Sequence, residues 1–340
     1  MHSPEQRRFW KVLVILVIGG IIASYISLVS GAYQASFADV YHTLFRINPS
    51  HELDLMLLEF RMPRIILAGL VGFGLAVSGT VIQAITRNGL ADPGILGINA
   101  GAGFAIVLFM FLFLGEIAYE GWFAALLMPA FGFIGGLIAA LSIFLLTWDK
   151  GKLDSQRLIL VGIAIGMGFS AVSLYISLKM DASNFDAATI WLTGTIWNAN
   201  WYFVFVLIPI LLILVPILFI KSHTLDLFQL SEESVINLGV RTEKEKIILL
   251  LTSIAIIATC VSVSGNIGFI GLIAPHIARR LVGLKHQFVL PISGFIGAIL
   301  VICADLIAKT IVLPAELPVG IIVALIGVPY FIFLLLKSKV

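Results

Sequence analysis

Charge is scarce in this chain. Only 12% of its 340 residues are Asp, Glu, Lys or Arg and 60% are hydrophobic, whereas soluble domains carry roughly 25% charged residues. With a mean hydropathy of +1.09, the chain has too little polar surface to dissolve in water, so lipid is its solvent. Cysteine is nearly missing: Cys260 and Cys303 each sit inside an apolar run and read as reduced core residues, not as a disulfide or metal pair. There is no G-x-x-x-x-G-K-[ST] loop, which excludes ATP binding by that route, and no H-E-x-x-H zinc pattern. The six histidines (His2, His42, His51, His223, His276, His286) are scattered. The net charge of +2 gives no reason to expect a nucleic-acid partner. Internal repeats and low-complexity segments are also missing.

What is present is a series of long apolar runs. Ten stand out, at about 12–30, 64–86, 95–114, 122–147, 158–178, 202–220, 247–264, 267–284, 289–312 and 318–336. Without water to satisfy peptide groups each must be a helix, and none alternates as a barrel strand would. The fold class is therefore all-α: a polytopic bundle of ten transmembrane helices, with residues 1–340 as one domain. The run at 267–284 is short and carries Pro275, which predicts a kinked or partly re-entrant segment. The N-terminus, MHSPEQRRFWK before an apolar run, imitates a signal peptide. The many later runs, and Ala23-Ser24 in mid-run, make it the first crossing instead.

Lys and Arg orient the bundle. With both termini inside, 16 of the 21 basic residues fall on inner segments; the outer side keeps Arg46, Arg61, Arg64, Lys179 and Lys309. In the outer segment 31–62, Ser36 and Asp39 have capping-box spacing before Val40, Tyr41, Leu44 and Phe45, which predicts a short amphipathic surface helix. The outer segment 179–201 carries Trp191, Trp197 and Trp201, read as interfacial anchors. The inner segment 221–246 is the longest on its side. Within it Ser231 suits an N-cap, Glu232 and Glu233 a first turn, and Gly239 a C′ position. Val235 and Leu238 give this short helix an apolar edge, so it is either a solvated connector or a docking element for a cytoplasmic partner.

Ionisable residues within spans are functional candidates by default, and here Asp305 is the clear one. Lys309 follows four residues later on the same face, so the two can form a local ion pair with Lys309 reaching the interface; alternatively Lys309 docks a partner outside. One peripheral pair is poor support for a proton-driven secondary carrier. An intramembrane protease would have only Ser78 or Ser170 with His276 to build on, and no spacing supports a dyad. The chain reads as a passage without its own engine, and not as an enzyme.

Several segments, in order along nearly the whole chain, carry a family likeness: Arg61-Met-Pro-Arg64, Ser78-Gly79 with Gln83-Ala84, Arg87-Asn-Gly-Leu-Ala-Asp-Pro-Gly94, Leu96–Gly101, Gly265–Arg279, Ala304–Lys309 and Pro314–Gly320. They resemble the permease subunits of ABC importers for iron–siderophores, haem and cobalamin. The resemblance implies a ten-helix permease in the bacterial plasma membrane with cytoplasmic termini, paired with an identical or paralogous second permease. Two cytoplasmic ATP-binding subunits would dock below and an extracellular substrate-binding lipoprotein above. No cofactor is expected on this chain; ATP and Mg belong to the partner subunits. By the same resemblance, Arg61, Arg64 and Lys309 meet acidic residues of the binding protein. Leu230, Ser231, Glu232, Glu233, Val235, Leu238 and Gly239 couple to the ATPase, and Asn88, Leu90 and Ser155 form the inner gate. Two departures stand out. Gly89 replaces the family's proline, which loosens the turn, and Lys309 keeps charge but lacks an arginine's fork. A ferric siderophore is the expected cargo, with cobalamin and haem as alternatives.

Overall fold

A computed structural model describes residues 4–31, 33, 35–47, 50–113, 121–149, 152–153 and 155–337. The chain opens with α1 (Pro4–Val29), one apolar helix. Ser36 and Asp39 then form the expected capping box: Asp39 N–H donates to Ser36 Oγ at 3.1 Å, and Ser36 N–H to the Asp39 carboxylate at 2.8 Å. This opens the short α2 (Phe37–Leu44). Next, α3 (His51–Asp54), a π-helical stretch Leu55–Arg61 and α4 (Met62–Thr86) make one unbroken 36-residue helix. Pro63 has no N–H to give the preceding turn, and the helix widens just before it.

After α4 come a polar hairpin, a 3₁₀ turn Pro93–Leu96, α5 (Ile98–Phe113) and α6 (Gly121–Thr147). A two-residue hairpin, β1 (Trp148–Asp149) and β2 (Lys152–Leu153), leads to α7 (Ser155–Ser177). Then follow α8 (Ala182–Leu192), α9 (Trp201–Ile220), α10 (Ser222–Leu227), α11 (Glu232–Asn237), α12 (Thr242–Ser264), α13 (Ile270–Val282), α14 (His286–Thr310) and α15 (Val319–Lys337). Apart from that small hairpin the described fold is all-α.

Among the described residues eight helices are long and apolar enough to cross a bilayer; α5, with 16 residues, is shorter. The run at 267–284, counted among the ten but expected to be kinked or partly re-entrant, is a short helix and not a full crossing. Its helix, α13, has 13 residues, which reach only about 20 Å, whereas a hydrocarbon core is about 30 Å thick. The backbone breaks where Gly265 takes φ +66° and Phe269 takes φ +65°. Irregular backbone at membrane depth survives only where protein satisfies its polar groups. Here Thr195 N–H donates to Ser264 O at 2.8 Å and the Phe269 backbone bonds to the Asp92 carboxyl, while the Asn266 side chain is held by Asn99 Nδ2 at 2.7 Å.

The core is built around α4 and α12, the two most buried spans, while α1 and α7 present most of their surface outward. Glycine lets α4 sit at the centre. A Cβ on Gly72 would lie 2.2 Å from Gly297 O, and one on Gly79 would lie 2.3 Å from Gly271 O. The backbones of α14 and α13 therefore touch α4 directly, the close approach that small residues permit in lipid. Cys260 and Cys303 are free thiols within the bundle. Of the three predicted interfacial tryptophans, Trp197 is exposed, Trp201 donates to Leu58 O at 3.0 Å, and Trp191 is buried in the core instead.

Candidate translocation path and its two ends

Helix α4 carries a polar residue set at each end and a thin polar seam between them. In the seam, Thr80 Oγ1 lies 2.9 Å from Ser293 Oγ, and Gln83 Nε2 donates to Gly271 O at 3.1 Å. Arg279 donates to Gln83 Oε1. The seam joins α4 to α13 and α14 without placing a full charge at its middle. His276 stands edge-on to Tyr330, and among the described residues neither Ser78 nor Ser170 hydrogen-bonds to it.

At the Arg61 end the cations turn inward. Arg64 grips Asp305 through Nε and a terminal nitrogen, at 2.9, 3.1 and 2.8 Å, and its other terminal nitrogen lies 2.8 Å from Glu316. Arg61 donates to Leu28 O at 2.5 Å, Val29 O at 3.2 Å and Tyr33 O. The expected local pair Asp305–Lys309 is corrected. The guanidinium fork matches the carboxylate better than an ammonium does, so Arg64 takes Asp305. Lys309, only 4% exposed, crosses to α1 and donates to Ser27 O at 2.6 Å and Ser27 Oγ at 2.8 Å. Glu316 and Ser27 were not legible as partners, because both lie far away in sequence.

At the Arg87 end the chain turns through Arg87, a left-handed cap at φ +51°, whose Nε donates to Phe228 O at 2.9 Å. Asn88 closes the hairpin: its side-chain oxygen accepts from Leu90 N–H at 2.9 Å and its carbonyl from Ala91 N–H at 3.1 Å. Gly89 does not enter the left-handed region, so the turn is held by Asn88. Leu90 packs against a small cluster of Leu272, Ile273 and Leu334. The side chains of Ser155 and Glu232 lie outside the described residues. Asp92 caps the 3₁₀ turn, accepting from Gly94 N–H at 3.1 Å, and burial pushes its carboxyl up to about 6.

The segment after α9 is fastened to this hairpin through Phe228 and to the turn between α13 and α14. His286 meets Asp226 through its backbone N–H at 2.8 Å and its Nδ1 at 2.7 Å. Gln229 Nε2 donates to Leu284 O at 3.3 Å. Ser231 caps α11 by accepting from Ser234 N–H at 3.3 Å, and Glu233 follows on the exposed first turn. Gly239 ends the helix at φ +80°, with Val240 N–H returning to Val235 O. The predicted apolar edge divides differently. Val235 is a fully buried anchor, while Leu230, Ile236 and Leu238 are 46%, 49% and 61% exposed. Ile236 was missed by sequence reasoning; its place on a one-and-a-half-turn helix shows only in three dimensions.

A glycine-cored bundle of apolar helices, with a broken helix beside the central one and a capped helix projecting at one end, is the build of a multi-pass membrane permease. Its relatives are of that class. The chain is 52% identical to the iron-uptake system permease protein FeuC of Bacillus subtilis over 94% of its own length and 95% of that protein. It is 41% identical to that organism's iron(3+)-hydroxamate import system permease protein FhuG, over 94% of each chain. A solved metal-chelate type ABC transporter in an inward-facing conformation superposes with a TM-score of 0.80 at 29% identity, over 97% of this chain and 99% of that one. Residues 16–337 match the FecCD transport family, and the chain belongs to that family.

Proposed function

We propose that this chain is a permease subunit of an ATP-driven importer for a ferric siderophore in the bacterial plasma membrane. Its termini and the Arg87 end face the cytoplasm. The chain works beside a second permease, identical or paralogous, above two cytoplasmic ATPases. A substrate-binding lipoprotein delivers cargo at the Arg61 end. ATP and Mg reside on the ATPases, and hydrolysis belongs to them.

One observation carries the reading. Leu230, Ile236 and Leu238 stand exposed on and beside α11, and the segment leading into that helix is bonded to the hairpin through Phe228 and Arg87. Exposed apolar side chains on so short an element suit a partner's groove. A push on α11 passes through Phe228 O to the cap of α4, and so to Asn88 and Leu90, the proposed inner gate with Ser155. Leu230–Gly239 is then the ATPase-coupling segment. At the other end, Arg61, Arg64 and Lys309 fix the surface on which the binding protein docks. Their internal bonds suggest that they shape that surface more than they offer free charge.

The test is uptake of a ferric siderophore by the complete transporter in proteoliposomes. ATP-dependent accumulation is expected, and none by the permease alone. Uphill accumulation driven by an ion gradient without ATPases would overturn the reading.

A further inference from the structure

Beside the hairpin lies a groove of about 470 Å³, lined by Arg87, Leu90, His276, Arg280, Leu334 and Lys337 among others. Its chemistry is one-sided. Three cations and a histidine face it, and among the described residues no carboxylate does. Among the described residues neither Arg280 nor Lys337 has a carboxylate within ion-pair distance. Lys337 lies over the Phe333 ring. Arg87 spends Nε on Phe228 O, which leaves its terminal nitrogens. His276 supplies the independent sign: its Nε2 is buried and has no hydrogen-bond partner. Buried polar atoms are satisfied as a rule, and an orphan calls for a missing partner. A neutral imidazole with Nε2–H, or an imidazolium, would donate there.

Leu90 and Leu334 supply apolar walls, and beyond them α15 presents Phe333 and Leu336 outward. A cluster of cations opening onto an apolar helix face matches an amphiphile with an anionic head. Basic pockets between transmembrane helices bind phospholipid headgroups in this way.

We infer that the groove between the Arg87 hairpin, α13 and α15 is a phosphate-oxyanion site, filled in the bilayer by the headgroup of an anionic phospholipid. Arg87, Arg280 and Lys337 neutralise the phosphate, and His276 Nε2 donates to one of its oxygens. Binding does not depend on the transport reading. Its consequence does: where the hairpin is the inner gate, a lipid held by Arg87 steadies one side of that gate.

The full-length permease, purified in detergent and delipidated, is titrated with phosphatidylglycerol and with phosphatidylcholine, and bound lipid is counted by native mass spectrometry. One phosphatidylglycerol should bind per chain, about tenfold or more tighter than phosphatidylcholine. Arg280→Gln with Lys337→Gln should remove most of that preference, because both side chains are exposed and the fold does not rest on them. Arg7→Gln with Lys11→Gln, exposed at the same end but outside the groove, should leave it unchanged. Should the first double variant not purify, Lys337→Glu on the last described turn of α15 is expected to weaken binding in the same direction. Millimolar inorganic phosphate that displaces the lipid supports the oxyanion site and assigns free phosphate as a competing source. Equal affinity for the two lipids, or a preference that survives loss of Arg280 and Lys337, overturns the proposal.

Discussion

The two ends of α4 use the same kind of residue in opposite ways. At one end Arg64 meets Asp305 and Glu316, and Lys309 meets Ser27, so each cation is spent inside the protein. At the other end, among the described residues, the Arg87 side chain is bonded only to a carbonyl, Arg279 to an amide, and Arg280 and Lys337 have no carboxylate at ion-pair distance. The first arrangement is rigid, because breaking a buried ion pair leaves a stranded charge. The second is held by single hydrogen bonds from a guanidinium to a neutral acceptor, each worth roughly 1.5–3 kcal/mol, and can be rearranged at lower cost than a buried ion pair. A permease that receives cargo on one surface and force on the other is served by such an asymmetry.

The sharpest way to break the comparison is at the rigid end. Asp305→Ala should destabilise the fold by about 3–5 kcal/mol, since Arg64 would keep only the partly exposed Glu316. The apparent unfolding midpoint in detergent should drop by many degrees, and an unchanged midpoint would show that the network is idle. At the other end, Ile236→Asp with Leu238→Asp should leave the midpoint in place. It should instead lower ATP-dependent uptake by the complete transporter about a hundredfold or more, equivalent to roughly 3 kcal/mol. Normal uptake would remove α11 from the coupling path.

A third effect is set by pH. Burial raises the folded Asp92 carboxyl from 3.8 to about 6. The protonated form is therefore the one the fold prefers. This contribution is fully present below about pH 4 and is lost as pH rises through 6, by roughly 2–3 kcal/mol in total. Asp92→Asn should thus match the wild type near pH 4 and exceed its thermal midpoint at pH 7; the opposite order at pH 7 would refute the burial argument. The smallest effect belongs to Arg46–Asp54, at 2.6 Å but with Arg46 61% exposed. Arg46→Ala should cost under about 1 kcal/mol, in contrast to Asp305. A large loss would mean that surface charge at this end is as structural as buried charge.

Much of this was legible beforehand. The Ser36–Asp39 box and the Ser231 and Gly239 caps are local, decided within four to eight residues, and each formed where expected. Long apolar runs announced the spans for the same reason: hydrophobicity over about 20 residues is a sum that needs no fold to evaluate. The failures share a cause. Lys309 was paired with Asp305 because the two are neighbours on one helix, yet Arg64 lies 241 residues away in sequence and wins the carboxylate. Likewise α13 was counted among ten spans, and although its run read as kinked or partly re-entrant, the break itself, with Gly265 and Phe269 at positive φ and supported by Thr195 and the hairpin, shows only in the structure.

By itself the sequence determined that this chain lives in lipid, that it is helical, and where its short capped helices begin and end, because solvent preference and capping are properties of neighbouring residues. Only the tertiary structure decided which cations are spent and which are left over, that Val235 is an anchor while Ile236 faces out, and that α13 stops short. Those outcomes depend on which partner reaches a charge or a backbone group first, and that is settled by packing between helices distant in sequence.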